Sequence, residues 1–414
     1  MRRLVTATAA AAVALSAHLA VPPSAQADDA RTGEPRAATV RLLTNGFGHG
    51  RGLSQYGAQA RAKLGHTRQE ILRFYYPGLA TGSSSGSMKV LITADTSSDV
   101  VVVDRAGLSV RSLGTGKAYR LDSPAAAKRW KIVAASGGRS TVAWRAATGS
   151  WRTWRTLAGQ AEFSAGGLPI TLVTPSGNAS YRGALRSALP TASSTTRDTV
   201  NVVPLESYLR GVVPREVFAS WRAAALQAQA VAARTYAAFE RDDRSDRYFH
   251  VDDTTSSQVY GGYADEVDTT NAAIKATAGQ VLTSGGRPAF TQFSSSNGGW
   301  SSAGSMPYLV AQQDPYEVSS GNPNASWTTT VTDAQIEKQW PQIGDLTQIS
   351  LTRDGNGDLG GRITSATFTG TAGSAKVTGD DFRYLMGTGG RSTWFKLEKA
   401  TPRDLVARLV PWAA

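Results

Sequence analysis

The chain has 414 residues, which is enough for two or three domains, and its 41% hydrophobic and 18% charged content excludes a largely disordered protein. A formal net charge of +12 favours anionic partners, but Lys and Arg form no continuous run, so we expect no nucleic-acid binding. Because the sequence has no cysteine, disulfides are excluded and stability must come from packing.

Residues 1–27 predict a secretory signal peptide. Arg2 and Arg3 precede an Ala/Leu/Val run, and the small-residue sequence Ala25-Gln26-Ala27 follows it. The alternative, an uncleaved membrane anchor, is disfavoured because the apolar run is Ala-rich, interrupted and short for a bilayer span. We therefore expect a secreted protein, extracellular or cell-wall associated, with no stable membrane span after cleavage.

Residues 28–80 form an N-terminal segment that contains the sequence NGFGHGRGLSQYG, with glycine at every second position from Gly46 to Gly52. Neither a P-loop nor a dinucleotide fingerprint has this spacing, and Tyr56 interrupts the G-x-S-x-G pattern of a serine-hydrolase elbow. Alternating glycines leave one face of an extended segment without side chains. We expect another backbone or a substrate chain to lie against that face.

Two short helices follow the glycines. Leu53, Tyr56, Ala60 and Leu64 have helical spacing, Gly65 suits a helix C-terminus, and Ile71, Leu72, Phe74 and Tyr75 begin a second short helix. The composition of residues 81–87, TGSSSGS, predicts a flexible linker.

The rest of the chain predicts an α+β fold, namely an α/β catalytic core with an inserted antiparallel β domain. Residues 88–190 contain short β-type runs between Gly, Ser, Asp and Pro turns, which predict the β domain. Residues 198–320 predict the core, with a strand, a short helix opened by Pro204 and a long Ala-rich helix from about Arg222 to Glu240. Residues 321–414 predict a C-terminal β unit with a closing helix.

Glu216, in the sequence GVVPREVFASW, is the sharpest candidate for chemistry. Pro214 suggests that it lies at the start of a helix, and the surrounding Val, Phe and Trp side chains would raise the pKa of its carboxyl group. A general acid needs such a pKa. The alternative is a structural Glu in a first helical turn, where it complements the helix dipole.

Polar residues of the long helix and the histidines give weaker signals. Gln229 and Arg234 are either buried donors to a polar ligand or part of an exposed stripe. After the leader the chain holds only His49, His66 and His250, none at i, i+4 spacing, and no Cys, so we predict no metal and no cofactor.

Several motifs together resemble the family of sporulation stage II protein D and the amidase enhancer LytB, over roughly residues 40–320. They are NVVPLESYLRGVVPREVFASWRAAALQAQAVAARTYA, DDTTSSQVYGG, FSSSNGGWS and the glycine segment with the helices after it. The family's Gly-His-Gly segment usually closes the domain, so its early position here suggests a circular permutation. Ser256 and Ser257 stand near the position where some members have zinc-binding Cys, so zinc is not carried over.

The resemblance implies a peptidoglycan-directed protein in which Glu216 matches the family's catalytic acid/base. Glu216 would protonate the glycosidic oxygen and then help the muramyl 6-hydroxyl to close a 1,6-anhydro ring. Hydrolysis would need a second carboxylate, for which Glu206 is the nearest candidate in sequence. The alternative function is a non-catalytic, peptidoglycan-binding enhancer of a cell-wall amidase, and a third is a lectin-like wall binder built on residues 88–186.

The predicted substrate-binding residues follow from the glycine argument and the resemblance together. We expect the bare face of residues 46–52 to form one wall of a glycan groove; the alternative is that this segment only packs beneath the helix of residues 223–240. The predicted substrate-binding set is His49, Ser54, Gln55, Gln229, Arg234, Tyr260 and Ser295. Trp221, Tyr236, Tyr260 and Trp300 are candidate sugar platforms.

Overall fold

The computed structural model describes residues 27–28, 39–122, 124–318 and 321–398. The predicted signal peptide therefore lies outside the described residues except for Ala27, as does the end of the C-terminal segment. Across the described ranges, none of the helices combines the length and apolarity that crossing a bilayer requires.

The described residues contain both helices and strands, which confirms the α+β class. The helices are α1 Gln55–Lys63, α2 Arg68–Tyr75, α3 Leu205–Glu216, α4 Ala223–Asp243, α5 Asp268–Ala276, α6 Asp333–Gln339 and α7 Gly379–Leu385. The strands are β1 Ala27–Asp28, β2 Thr39–Asn45, β3 Leu53–Ser54, β4 Ala80–Ser83, β5 Ser87–Leu91, β6 Asp99–Val103, β7 Ser109–Ser112, β8 Ala118–Arg120, β9 Arg129–Ala135, β10 Arg139–Arg145, β11 Arg152–Leu157, β12 Ala161–Ser164, β13 Ile170–Thr174, β14 Gly177–Tyr181, β15 Ala184–Ala188, β16 Asp198–Pro204, β17 Val251–Asp252, β18 Gln280–Ser284, β19 Arg287–Pro288, β20 Phe293–Ser294, β21 Trp327–Thr332, β22 Leu346–Arg353, β23 Ile363–Gly370, β24 Ser374–Thr378 and β25 Trp394–Glu398.

Both short helices predicted after the glycines are present, but α2 begins at Arg68 and ends at Tyr75, so the prediction that it begins near Ile71 is wrong. Side chains define where each helix begins. The Ser54 hydroxyl accepts a hydrogen bond from the Gly57 N–H at 3.2 Å and caps α1. Thr67 and Glu70 form a capping box at the start of α2. The flexible-linker prediction for residues 81–87 is wrong in its first half, because β4 pairs with β18 and the ladder outweighs local composition.

The predicted β runs of residues 88–190 lie in two sheets. One has the order β11-β10-β9-β6-β13-β14, and the other has the order β17-β5-β16-β15-β12-β7-β8. All of these pairs are antiparallel except β17 with β5. The residues of β11 and β12 are mostly polar or small, so these two strands are only weakly marked in the sequence.

The second sheet extends beyond residue 190, because β16 and β17 belong to the following segment. One hydrophobic cluster likewise joins Trp130 and Phe163 of the β domain to Tyr208 and Leu209 of α3 and to Leu226 of α4. The inserted β domain and the helices therefore share a core, since α3 and α4 bury their apolar faces against the sheet.

The C-terminal unit includes the early strands β1 and β2. β2 lies between β21 and β25 in an antiparallel sheet, beside a second sheet of order β1-β22-β23-β24. A separate aromatic cluster, in which Phe382 contacts Phe368 at 5.0 Å and Phe395 at 5.2 Å, fills the space under these strands. β2 therefore belongs to the C-terminal unit, and the glycine segment that follows it runs from this unit to the core.

Candidate active site

The glycine segment approaches another backbone rather than an open groove. A Cβ on Gly46 would lie 2.9 Å from the Ser296 carbonyl oxygen, and a Cβ on Gly48 would lie 2.7 Å from the Ser294 Cβ. A Cβ on Gly50 would meet the Arg362 side chain, and a Cβ on Gly52 would meet the carbonyl of Gln292. The prediction of a glycan-groove wall is wrong, and so is the alternative of packing beneath α4, because residues 292–298 and Arg362 fill this face.

This close approach positions Gln55. The Ser54 hydroxyl caps α1 and also accepts a hydrogen bond from the Asn297 N–H at 3.4 Å, which ties the helix start to the facing loop. Gln55 is the next residue and is buried; its Nε2 donates to Glu216 Oε2 at 3.4 Å. Two residues predicted for the site from separate motifs therefore meet.

Glu216 is the last residue of α3, which corrects the prediction that it begins a helix. Pro214 lies inside the last turn of α3, and Val217 is already in extended conformation. Because a helix carries partial negative charge at its C-terminus, this position disfavours a carboxylate. The structural alternative, in which Glu216 complements a helix dipole, is therefore wrong.

Burial raises the pKa of the Glu216 carboxyl to about 7, against an ordinary 4.5, while hydrogen bonds from Gln55 and from the Val259 backbone oppose the rise. The residue as a whole is half-buried rather than fully enclosed. A carboxyl group whose pKa lies near neutrality can both give and take a proton in the physiological range, as a group that acts first as acid and then as base must do.

Glu206 has a different role. Its Oε1 accepts from Arg234 Nε at 2.8 Å, its Oε2 accepts from Arg234 Nη2 at 2.8 Å, and Gly279 N–H adds a bond at 3.1 Å. No acid contributes to the pKa shift of Glu216. Among the described residues, the carboxylate nearest in sequence is thus committed to an ion pair and does not act on Glu216.

The two predicted residues of α4 are both buried but differ in their hydrogen bonds. Arg234 is fully buried, and besides Glu206 it donates to Thr277 Oγ1 and to the carbonyls of residues 230, 274 and 280. Gln229 is 1% exposed, and neither its Nε2 nor its Oε1 has a hydrogen-bond partner among the residues that the structure describes. Substrate binding by either residue stays a prediction, which the geometry disfavours for Arg234 and leaves open for Gln229.

His49 lies between Gly48 and Gly50 of the glycine segment and is half-buried. Its Nδ1 accepts a hydrogen bond from the Arg51 N–H at 2.9 Å. Burial and then the charges of Arg51, Arg362 and Arg383 lower the pKa of His49 to about 3. The imidazole is therefore neutral at physiological pH, and its role as a sugar ligand stays a prediction.

Tyr260 and Ser295 form hydrogen bonds with other protein groups around the site. Tyr260 is buried, donates its hydroxyl to Asn201 Oδ1 at 2.9 Å and lies 5.0 Å from the Tyr208 ring. The carbonyl of Ser295 accepts from the Tyr56 N–H at 3.1 Å and so helps to hold the first turn of α1. Direct contact of either residue with a substrate stays a prediction.

An exposed aromatic cluster adjoins the Gln55–Glu216 pair in sequence. Tyr56 lies 5.2 Å from Trp221 and 6.5 Å from Phe218, while Phe218 lies 5.6 Å from Trp221. Phe218 is 60% exposed, which is unusual for so large an apolar side chain. Sequence reasoning named Trp221 but missed Tyr56 and Phe218, although each lies within two residues of Gln55 or Glu216.

The other predicted sugar platforms lie elsewhere. Tyr260 is buried, as described above, and the Tyr236 ring packs against Phe290 at 5.5 Å. Trp300 is half-buried, and its enclosed indole Nε1 has no hydrogen-bond partner within the described ranges. Trp221 is therefore the candidate that the structure places in the exposed cluster.

A buried acidic network, which the sequence did not reveal, fixes the loop of residues 294–299. Arg61 Nη2 contacts Asp314 Oδ1 at 3.3 Å, Asn297 Nδ2 donates to Asp314 Oδ2 at 3.1 Å, and the Asn297 N–H donates to Glu317 at 3.1 Å. Burial raises the pKa of Glu317 to about 7. Within the described ranges, no group of three or more His, Cys, Asp or Glu side chains is arranged to hold a metal ion.

Comparison with known proteins finds related sequences over part of the chain. Residues 193–284, which include Glu216, match the family model described as Stage II sporulation protein. The chain is 40% identical over 135 residues to a protein named Amidase enhancer from Bacillus subtilis (strain 168), which is 31% of this chain and 17% of that protein. It is 30% identical over 200 residues to Stage II sporulation protein D of the same organism, covering 42% and 53% of the two chains. The match to the protein of that name from Bacillus amyloliquefaciens is 28% identical and covers 60% of its length, so the chain spans less than two thirds of each of these relatives.

Proposed function

This chain belongs to the SpoIID/LytB family, and on that premise we propose that it is a secreted peptidoglycan lytic transglycosylase that cleaves glycan strands with Glu216 as its acid/base. The observation that carries the proposal is the half-buried Glu216 carboxyl, whose pKa burial raises to about 7 and which lies close in sequence to the aromatic cluster that includes the exposed Phe218. The names of the relatives support a role in the cell wall and in sporulation.

In the proposed reaction Glu216 first donates a proton and then accepts one. Glu216 donates its proton to the glycosidic oxygen, and the bond from that oxygen to the muramyl C1 breaks. The resulting carboxylate then accepts the proton of the muramyl 6-hydroxyl as that oxygen bonds to C1 and closes a 1,6-anhydro ring. Gln55 and the Val259 N–H stabilise the carboxylate between the two steps, because their hydrogen bonds favour its charged form.

The surroundings of Glu216 favour this intramolecular route over hydrolysis. A glycoside hydrolase needs a second carboxylate, roughly 5 to 9.5 Å from the acid, as nucleophile or as base for water. Glu206 is instead held by two hydrogen bonds of 2.8 Å to the fully buried Arg234. One free carboxyl group is sufficient when the substrate supplies its own nucleophile.

The aromatic cluster supports a carbohydrate substrate. The faces of pyranose rings carry C–H groups that stack on aromatic side chains, and Phe218 offers an exposed ring held in place by Tyr56 and Trp221. We propose that sugars adjacent to the cleaved bond stack on this cluster.

Mass spectrometry of soluble products tests the proposal. Purified glycan strands, with and without stem peptides, are incubated with the parent protein, with Glu216→Gln and with the control Glu70→Gln. The control makes the same chemical change at an exposed Glu, and Gln preserves its capping box. We expect anhydro-muramyl ends from the parent and from the control, and at least a hundredfold fewer from Glu216→Gln, since loss of a general acid costs that much.

A second candidate function is a non-catalytic enhancer of a wall amidase, which the 40% identity to a protein named Amidase enhancer favours. In that case neither the parent protein nor Glu216→Gln cleaves glycan strands. Addition of the parent and of Glu216→Gln to an amidase then raises stem-peptide release equally.

A further inference from the structure

Positive charge is concentrated in the inserted β domain. Residues 88–190 hold fourteen Lys or Arg against five Asp or Glu, a net charge of +9 out of +12 for the whole chain. Residues 124–161 hold seven Lys or Arg and no acidic residue, together with four of the ten Trp. An anionic partner would therefore be drawn to this part of the protein.

The hairpin of β10 and β11, residues 139–157, which we call the basic hairpin, forms an edge of the six-stranded sheet. β11 pairs with β10 on one side and with no other strand in the described part of the chain. A bulge opposite Val142 and Ala143 leaves Trp154 without a facing residue, and its ring packs edge-on against the buried Trp130 at 6.0 Å. The hairpin is thus anchored to the core while its outer edge stays accessible.

Cations surround Trp151 at one end of this edge. Lys131 Nζ lies 4.7 Å and Arg145 Cζ lies 4.9 Å from the Trp151 ring centre. Such stacking fixes the position of a long basic side chain, and a stacked guanidinium keeps its N–H groups available for an anion. Asp99 contacts Lys131 at 3.4 Å, whereas among the described residues no carboxylate forms an ion pair with Arg145.

The same arrangement recurs along β11. Arg152 lies 5.3 Å from the ring centre of Trp144, and Arg155 lies 4.5 Å from that of Tyr119. Both Arg side chains are exposed, and neither forms an ion pair with a carboxylate in the part of the chain that the structure describes. Arg152 and Arg155 pair with Trp144 and Val142, which lie two residues apart on one face of β10, so the bulge places both Arg on the same face about 7 Å apart along the strand. A row of basic side chains along one face suits a charged polymer better than a single small anion.

We propose that the basic hairpin binds a phosphodiester-linked polymer of polyols or sugars in the cell wall. Guanidinium groups hydrogen-bond phosphate oxygens, and the adjacent ring edges contact the C–H groups of the polyol or sugar units. A nucleic acid fits less well, since cations already cover the ring faces on which bases would stack. The proposal takes the cell-wall setting from the proposed function but does not depend on cleavage by Glu216.

Binding of poly(glycerol phosphate), measured by titration at two salt concentrations, tests this proposal. The triple variant Arg145→Gln/Arg152→Gln/Arg155→Gln is compared with Arg73→Gln/Lys275→Gln/Arg287→Gln, which removes the same charge from exposed positions outside the β domain. We expect about tenfold or greater loss of affinity for the first triple and less than about twofold for the second. Equal losses would overturn the proposal, because net charge alone would then explain binding.

Two further arms identify the partner. Sedimentation with cell walls should fall after chemical removal of their phosphodiester-linked polymers; unchanged sedimentation, or equally tight binding of single-stranded DNA, would overturn the proposal.

The thermal unfolding of the first triple is compared with that of the parent. If the triple unfolds early, the single exposed change Arg152→Gln carries the test, with an expected loss of about two- to threefold. All binding is repeated with Glu216→Gln, so failure of the cleavage proposal and failure of this one are separate results.

Discussion

Replacing Glu216 with Gln should stabilise the folded protein at alkaline pH. The folded state binds the Glu216 proton more tightly than the unfolded state, with a pKa of about 7 against 4.5. The stability that this tighter binding provides is complete below pH 4.5 and is lost as the pH rises to about 7. Each tenfold difference in proton affinity corresponds to 1.36 kcal/mol, so the loss is about 3 kcal/mol. Gln is neutral at every pH and avoids this loss.

The assay is urea unfolding of the parent and of Glu216→Gln at pH 4 and at pH 8.5. We expect closely similar free energies of unfolding at pH 4 and a variant that is about 3 kcal/mol more stable at pH 8.5. Glu70→Gln is the control, because hydrogen bonds from Thr67 lower the pKa of Glu70 and its substitution should give no alkaline gain. A difference for Glu216→Gln that is the same at both pH values would refute the reasoning.

Three further predictions concern the site and its support. Gln55→Leu removes a hydrogen bond that favours the Glu216 carboxylate, so the fall in cleavage rate at high pH should move to higher pH; an unchanged pH profile would contradict the contact. Phe218→Ala should raise KM several-fold on glycan strands with little change in kcat, and a loss confined to kcat would argue against a sugar platform. Gly48→Ala should destabilise the protein by about 1 to 3 kcal/mol more than Gly149→Ala, because both glycines have φ near +100° but only the first faces a neighbour at 2.7 Å. Equal losses in thermal unfolding would show that this close approach is unimportant.

The sequence was most informative where a local pattern decides the structure. The capped helices after the glycines, the long Ala-rich helix and the alternating strands of the β domain depend on residues close in the chain, and these predictions agree with the structure. Glu216 was found through its motif. The sequence does not predict its place at the end of α3, because proline is common in a first helical turn and Pro214 therefore suggests a helix start.

Features that depend on residues distant in sequence could not be predicted. Alternating glycines predicted a close approach but could not say that Ser294 and Ser296, some 250 residues away, make it. The bidentate pairing of Glu206 with Arg234 joins two helices across 28 residues and has no local signature. The predicted domain boundary near residue 190 did not anticipate that the sheet continues into β16, because composition does not reveal which strands are hydrogen-bonded to each other.

Cleavage of glycan strands in oxygen-18 water tests the central claim most directly, namely that Glu216 acts without a second carboxylate and without water as nucleophile. The account predicts anhydro-muramyl ends that carry no oxygen-18 and that disappear in Glu216→Gln. New ends that each contain one oxygen-18 atom, or unlabelled ends that persist in Glu216→Gln, would contradict it.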